Sequence, residues 1–308
     1  MARVVRRKHD ELTIAFASRP AMPSTSRPSF TNWLIIPAGV VAVTLASAMF
    51  VLFQSAFREA IPGSLEVGGF TLANFGRLLR PIYLQAFLDT LWFAAICSVA
   101  NLLLGYPLAY VLVRTRSPSL KSAILVITLM PLFTGDIVRT YGWLAVLGKY
   151  GFLNSSLMGL GLISEPLELL YTATGVVIAL VQYSMPIMVI ILSASISHVD
   201  PSLERAARGL GASPVRAFLL VTLPLSLPGI VSGVLTIFAW TLSAFSTPQI
   251  IGGGKVNTIA TLIYNVGFSN FNFPFAAALS LTSLVMIFLL LGIIGTLARR
   301  ALTVPVAT

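Results

Sequence analysis

Charge is what this sequence lacks most. Only 10% of its 308 residues are Asp, Glu, Lys or Arg, where a soluble domain carries about 25%. With 56% hydrophobic residues the chain cannot cover its own apolar surface in water. A lipid bilayer is the solvent that makes such a composition stable, and there the backbone must close its hydrogen bonds as helices or as a barrel. A barrel would show short alternating segments. The apolar runs here are long and continuous, so the spans are helical.

Cysteine and histidine are scarce as well. The one cysteine, Cys97, lies inside an apolar run, which excludes a disulfide framework and a cysteine-based metal site. His9 and His198 stand without neighbouring ligands, and no Ser/His/Asp cluster is visible, so the chain reads as non-catalytic. Gly252-Gly253-Gly254-Lys255 invites a phosphate-loop reading, but that motif requires Gly, four residues, then Gly-Lys-Ser/Thr. Position 249 is Gln and position 256 is Val, so no ATP site is expected and the run reads as an external turn. Arg3, Arg6, Arg7 and Lys8 are not closely followed by a short apolar core with a cleavage site. Residues 1–32 therefore read as a cytoplasmic tail.

What is present is a series of six apolar stretches near the roughly 20 residues a crossing helix needs. They are approximately Leu34–Phe53, Leu91–Val113, Ser122–Ile137, Thr174–Ile196, Leu227–Ala244 and Ala276–Leu297. The third is the shortest, interrupted by Gly135, Asp136 and Arg139. With both termini in the cytoplasm, the inner segments hold fourteen of the twenty Lys and Arg, among them Arg114, Arg116, Lys121, Arg299 and Arg300. That is the bias of the positive-inside rule. It also accounts for the net charge of +10 without a nucleic-acid partner. The domain reading is a 1–32 tail, a 33–297 transmembrane domain and a 298–308 cytoplasmic tail. The long external segments 54–90, 138–173 and 245–275 carry turn residues and aromatics, and read as short interfacial helices.

Between the fourth and fifth spans lies a cytoplasmic loop, 198–226, with two helix starts. Asp200-Pro201 and Ser213-Pro214 each join a capping side chain to a proline suited to the first turn. Gly211 offers a left-handed stop between them. Phe218, Val221 and Leu225 give the second helix an apolar face, and Pro224 and Pro228 bend the chain into the fifth span. Ala206, Ala207, Gly209, Gly211 and Ala212 leave room for a close-packed partner. On residues alone a docking element and a locally packed loop stand equal.

The loop resembles that of ABC importer permeases, patterned Glu-Ala-Ala, three residues, Gly, then an apolar–x–Leu–Pro ending. Ala206, Ala207, Gly211, Val221, Leu223 and Pro224 match; Arg205 stands at the acidic position, with Glu204 one residue earlier. Asn74-Phe75, Gly105-Tyr106-Pro107-Leu108-Ala109-Tyr110, Val138-Arg139-Thr140-Tyr141-Gly142-Trp143 and Phe245-Ser246-Thr247-Pro248 are similar to the spermidine/putrescine-type branch. The resemblance implies the all-α type I importer permease fold, in a bacterial inner membrane. It implies a second permease subunit, two ATPase subunits that bind the ATP and Mg, and an external solute-binding protein. The implied solute is a polyamine or similar organic cation. Glu204, Arg205, Ala206, Ala207, Gly211, Ala212, Ser213, Pro214 and Phe218 would then form the coupling loop, with Glu204 and Arg205 both candidates for its polar contact.

For the solute path, polar and ionisable residues at membrane depth are the natural candidates. These are Asp136, Arg139, Tyr141, Trp143, Gln182, Tyr183, Trp240, Ser243, Phe245 and Thr247. A carboxylate among aromatic faces suits a cation. Equally, Asp136 and Arg139, three apart, can pair on one helix face. A self-sufficient carrier or channel would show a repeated half or a filter motif, and neither is visible.

Overall fold

The computed structural model describes residues 30–61, 64 and 66–302. Most of the expected 1–32 tail, the Pro62-Gly63 turn and the last part of the 298–308 tail lie outside them. The chain divides after Val51. The first unit contains most of α1 (Phe30–Ala56), an apolar helix without a charged residue. In it Thr44 and Ser47 donate their hydroxyls to the carbonyls four residues back, so neither leaves a polar group unpaired for lipid.

The second unit opens with a short antiparallel pair, β1 (Arg58–Ala60) and β2 (Val67–Phe70), then α2 (Ala73–Arg77). A strand pair here differs from the expected interfacial helices. Buried Asn74 ties it together, donating to the carbonyls of Ala56 and Arg58 at 3.0 and 2.9 Å. Phe57 stacks on Phe70 above it.

The second span is α3 (Pro81–Arg114), 34 residues and about 51 Å long at 1.5 Å per residue. It starts ten residues before the expected Leu91, because Pro81 opens the helix and Gln85 and Asp89 are carried within its first turns. Pro107 does not interrupt it. Then α4 (Pro118–Leu129), capped by Ser117, tightens into a 3-10 turn over Met130–Phe133. Here the expected span Ser122–Ile137 is corrected. The chain turns by 111° at Thr134-Gly135, and Asp136 begins a new helix, α5 (Asp136–Leu147). After α6 (Phe152–Gly159) comes α7 (Ala173–Ser197), the fourth span, unbroken by Pro186.

The loop helices are α8 (Pro201–Gly209) and α9 (Pro214–Ala217), followed by a π-helical turn at Phe218–Thr222 and the short α10 (Leu223–Leu225). A 66° bend at Ser226 leads into α11 (Leu227–Leu242). On the far side lie α12 (Ser246–Ile251) and α13 (Ile259–Tyr264), then α14 (Phe273–Leu302), which runs past the expected end at Leu297. Among the described residues four helices are long and apolar enough to cross a membrane, and up to six spans result if each bent pair counts as one.

The centre of the second unit is the mutual packing of α3, α7 and α11. Tyr106, Ala109, Met188, Leu192, Ile196 and Ile237 form its core toward the loop, and Phe93, Cys97, Val176, Leu180 and Ile251 toward the other end. Glycines allow the close approach. A methyl on Gly229 would overlap the Ser195 side chain, and one on Gly105 would lie 3.0 Å from the Met188 side chain. Asn101, fully buried, spans α3 and α7 by donating to Ser184 Oγ at 2.8 Å.

Candidate functional site

Two regions gather the predicted residues. The first is the loop. Asp200 Oδ1 accepts from the Ser202 N–H at 2.8 Å, and Ser213 Oγ accepts from the Arg216 N–H at 3.3 Å, so both expected caps form. Gly211 takes φ +94°, the left-handed stop its position requires. The cap bond is the main reason the Asp200 carboxyl sits below the ordinary carboxylate range.

Glu204 turns inward. Its carboxylate accepts from Tyr110 Oη at 3.0 Å, from Arg114 Nη2 at 3.3 Å and from the Thr222 hydroxyl. Arg114 also donates to the Val199 carbonyl at 3.0 Å. One carboxylate on α8 thus joins the end of α3 to the π-helical turn that precedes the fifth span. Burial raises its pKa, but the bonds from Thr222 and Tyr110 and the charge of Arg114 outweigh this and hold it below the ordinary value. Phe218 packs edge-on against Tyr106 and Tyr110, at 5.5 and 5.2 Å between centroids. At the bend, Ser226 pairs with Tyr106 through hydroxyls 2.7 Å apart and accepts from Ser195 on its carbonyl. Arg205 and Ala206 are exposed, while Ala207 and Ala212 are half-buried. Pro214 opens α9.

Sequence reasoning missed Tyr110, Arg114 and Thr222 as partners of Glu204. A signal existed for two of them: Tyr110 and Arg114 are four apart on the last turns of α3, hence on one face.

The second region is a cavity of about 250 Å³ lined by Asp136, Tyr183, Trp240, Ser243, Phe245 and Thr247, together with Ala244 and Ser246. Six of the ten path candidates therefore share one hollow. Tyr183 and Trp240 meet edge-to-face at 5.4 Å on its wall. Behind it, Arg139 donates to Asp136 Oδ1 at 2.6 Å, and its guanidinium lies 3.8 Å over the Tyr183 ring. The same side chain donates to the Pro131 carbonyl at 3.1 Å, satisfying backbone freed by the 111° bend. Trp143 and Gln182 bond to each other at 3.1 Å and line a neighbouring apolar cavity of about 560 Å³. Tyr141 is exposed and lines neither.

Comparison with known proteins identifies the class. The solved structure of a bacterial ABC transporter involved in the import of alginate superposes with a TM-score of 0.72 at 18% identity, over 88% of this chain and 96% of that one. The fold is therefore that of type I ABC importer permeases.

Residues 101–303 match the family model described as binding-protein-dependent transport system inner membrane component, and the chain belongs to that family. It is 36% identical over 280 residues to the spermidine/putrescine transport system permease protein PotB of Salmonella typhimurium, covering 90% of this chain and 96% of that one. It is 30% identical to the protein of the same name in Haemophilus influenzae, over 84% and 88% of the two chains. The protein is thus a multi-pass permease subunit of the inner membrane.

Proposed function

We propose that this chain is one half of a pore that imports a small organic cation of the polyamine class, spermidine or putrescine. The observation that carries this reading is the cavity in which the Asp136 carboxylate stands among Tyr183, Trp240 and Phe245. Beyond its bond to Arg139 the carboxylate keeps 43% of its side chain exposed and can accept from an ammonium group, and the ring faces of Trp240 and Phe245 attract a cation. Relatives named as spermidine/putrescine permeases, at 36% and 30% identity, support the same class.

In this reading both termini face the cytoplasm, the 198–226 loop receives a separate ATPase, and ATP and Mg stay on that subunit. A second permease subunit completes the pore and an external binding protein delivers the solute. Nucleic acid has no part. The chain performs no chemistry of its own. Its loop converts ATPase closure into movement of the spans through the Glu204 connections to Tyr110, Arg114 and Thr222.

The test is reconstitution of the complete importer in proteoliposomes with labelled spermidine. Uptake that depends on ATP on the loop side, and falls in an Asp136→Asn variant, supports the reading. Spermidine transport by this chain alone without ATP would overturn it in favour of a self-sufficient carrier.

A further inference from the structure

The loop shows its surroundings a basic face, not an acidic one. Glu204 is spent within the chain on Tyr110, Arg114 and Thr222. Asp200 is exposed but already accepts from the first turn of α8. Arg205, Arg208 and Arg216 are exposed on the same loop, where Leu210 after α8 is 91% and Val215 in α9 is 66% exposed. None of the three arginines has an ion-pair partner among the described residues.

We propose that the surface of the ATPase subunit receiving α8 is acidic, with a carboxylate opposite Arg205 and an apolar hollow for Leu210. The inference rests on the docking reading above and adds the sign of the contact. Two like charges brought together at an interface cost far more than a missing pair, so the partner must avoid a basic residue there. Interfaces characteristically bury an apolar centre beside arginine. A loop that exposes Arg205 and Leu210 together has that composition. Anionic lipid headgroups also attract arginine, but a lipid surface needs only charge. Here the loop exposes a leucine as well as arginines, and its helix is braced by a half-buried carboxylate, so the face offers apolar area that a merely charged surface would not use.

The experiment uses the whole importer, co-expressed and purified with its second permease and ATPase subunits. An Ala206→Cys variant, cross-linked to the ATPase, first checks docking itself. Arg205→Glu and, separately, Arg208→Glu are then compared with Arg205→Lys for ATPase retained at increasing salt. Retention should fall about tenfold or more in the glutamate variants and survive in the lysine variant. The unmodified complex should lose ATPase as salt rises. Co-elution with the second permease shows that each variant folds. Unchanged or tighter retention in Arg205→Glu, with the Ala206→Cys cross-link intact, would overturn the acidic surface and leave docking standing. Absence of that cross-link in the otherwise unmodified importer would remove docking and the proposal with it. If Arg205→Glu instead sheds anionic phospholipid while keeping the ATPase, the arginines face lipid and the proposal falls.

Discussion

Arg139 lies 3.8 Å over the ring of Tyr183 while its guanidinium holds Asp136 at 2.6 Å. A carboxylate and an aromatic face together suit a cation, and here the chain's own arginine takes the Tyr183 face and one side of the carboxylate. Asp136 keeps its other side toward the cavity, with 43% of its side chain exposed. The pairing expected from spacing alone and the cation-binding reading are therefore compatible.

The sharpest test of that cavity is Asp136→Asn. The amide keeps the size and loses the charge that an ammonium solute needs. KM for spermidine should rise about tenfold, equivalent to about 1.4 kcal/mol, with kcat changed less. An unchanged KM in the reconstituted importer would take Asp136 out of the solute path.

Arg139→Lys should damage the protein although charge is retained. Lysine cannot at once bridge Asp136, cap the Pro131 carbonyl and lie flat on Tyr183. Thermal unfolding of the purified subunit should show a loss of about 1.5–3 kcal/mol, the range for hydrogen bonds to charged groups. Equal midpoints would mean that the bend at Thr134-Gly135 is held by other contacts.

Glu204→Gln removes the charge that binds α8 to α3. A stability loss of about 1.5–3 kcal/mol is expected, with less solute carried per ATP hydrolysed. The pH dependence has a definite sign. The folded carboxyl lies below its ordinary value, so its stabilisation is complete above the ordinary carboxylate range and disappears as pH falls through the lowered one. Stability between about pH 5 and 8 should be flat in this respect. The Gln variant should lack the acid limb, and identical acid limbs in both proteins would contradict the assignment.

Gly229→Ala tests the contact between α7 and α11. The added methyl would overlap Ser195, forcing the helices apart at a cost of about 1–3 kcal/mol. Ser195→Gly in the same chain should restore much of the loss. No rescue in the double variant would show that Gly229 is needed for another reason.

What the sequence determined by itself is what short-range physics controls. Composition required helices in lipid, and Asp200-Pro201, Gly211 and Ser213-Pro214 marked the loop helices, because caps act within three residues of backbone. The boundaries of the second and third spans were less legible. A proline-led start extended α3 through Gln85 and Asp89, and the chain turned at Thr134-Gly135 before Asp136.

The tertiary structure alone decided how distant side chains meet. Whether Glu204 or Arg205 faces inward depends on Tyr110, 94 residues away, and on the π-helical turn that carries Thr222. Asp136 shares a cavity with Phe245 and Thr247 only because α5 folds back at 111°. Such pairings follow from helix packing, where glycine and serine on facing helices set the separation, and local propensity carries no information about which helices will face each other.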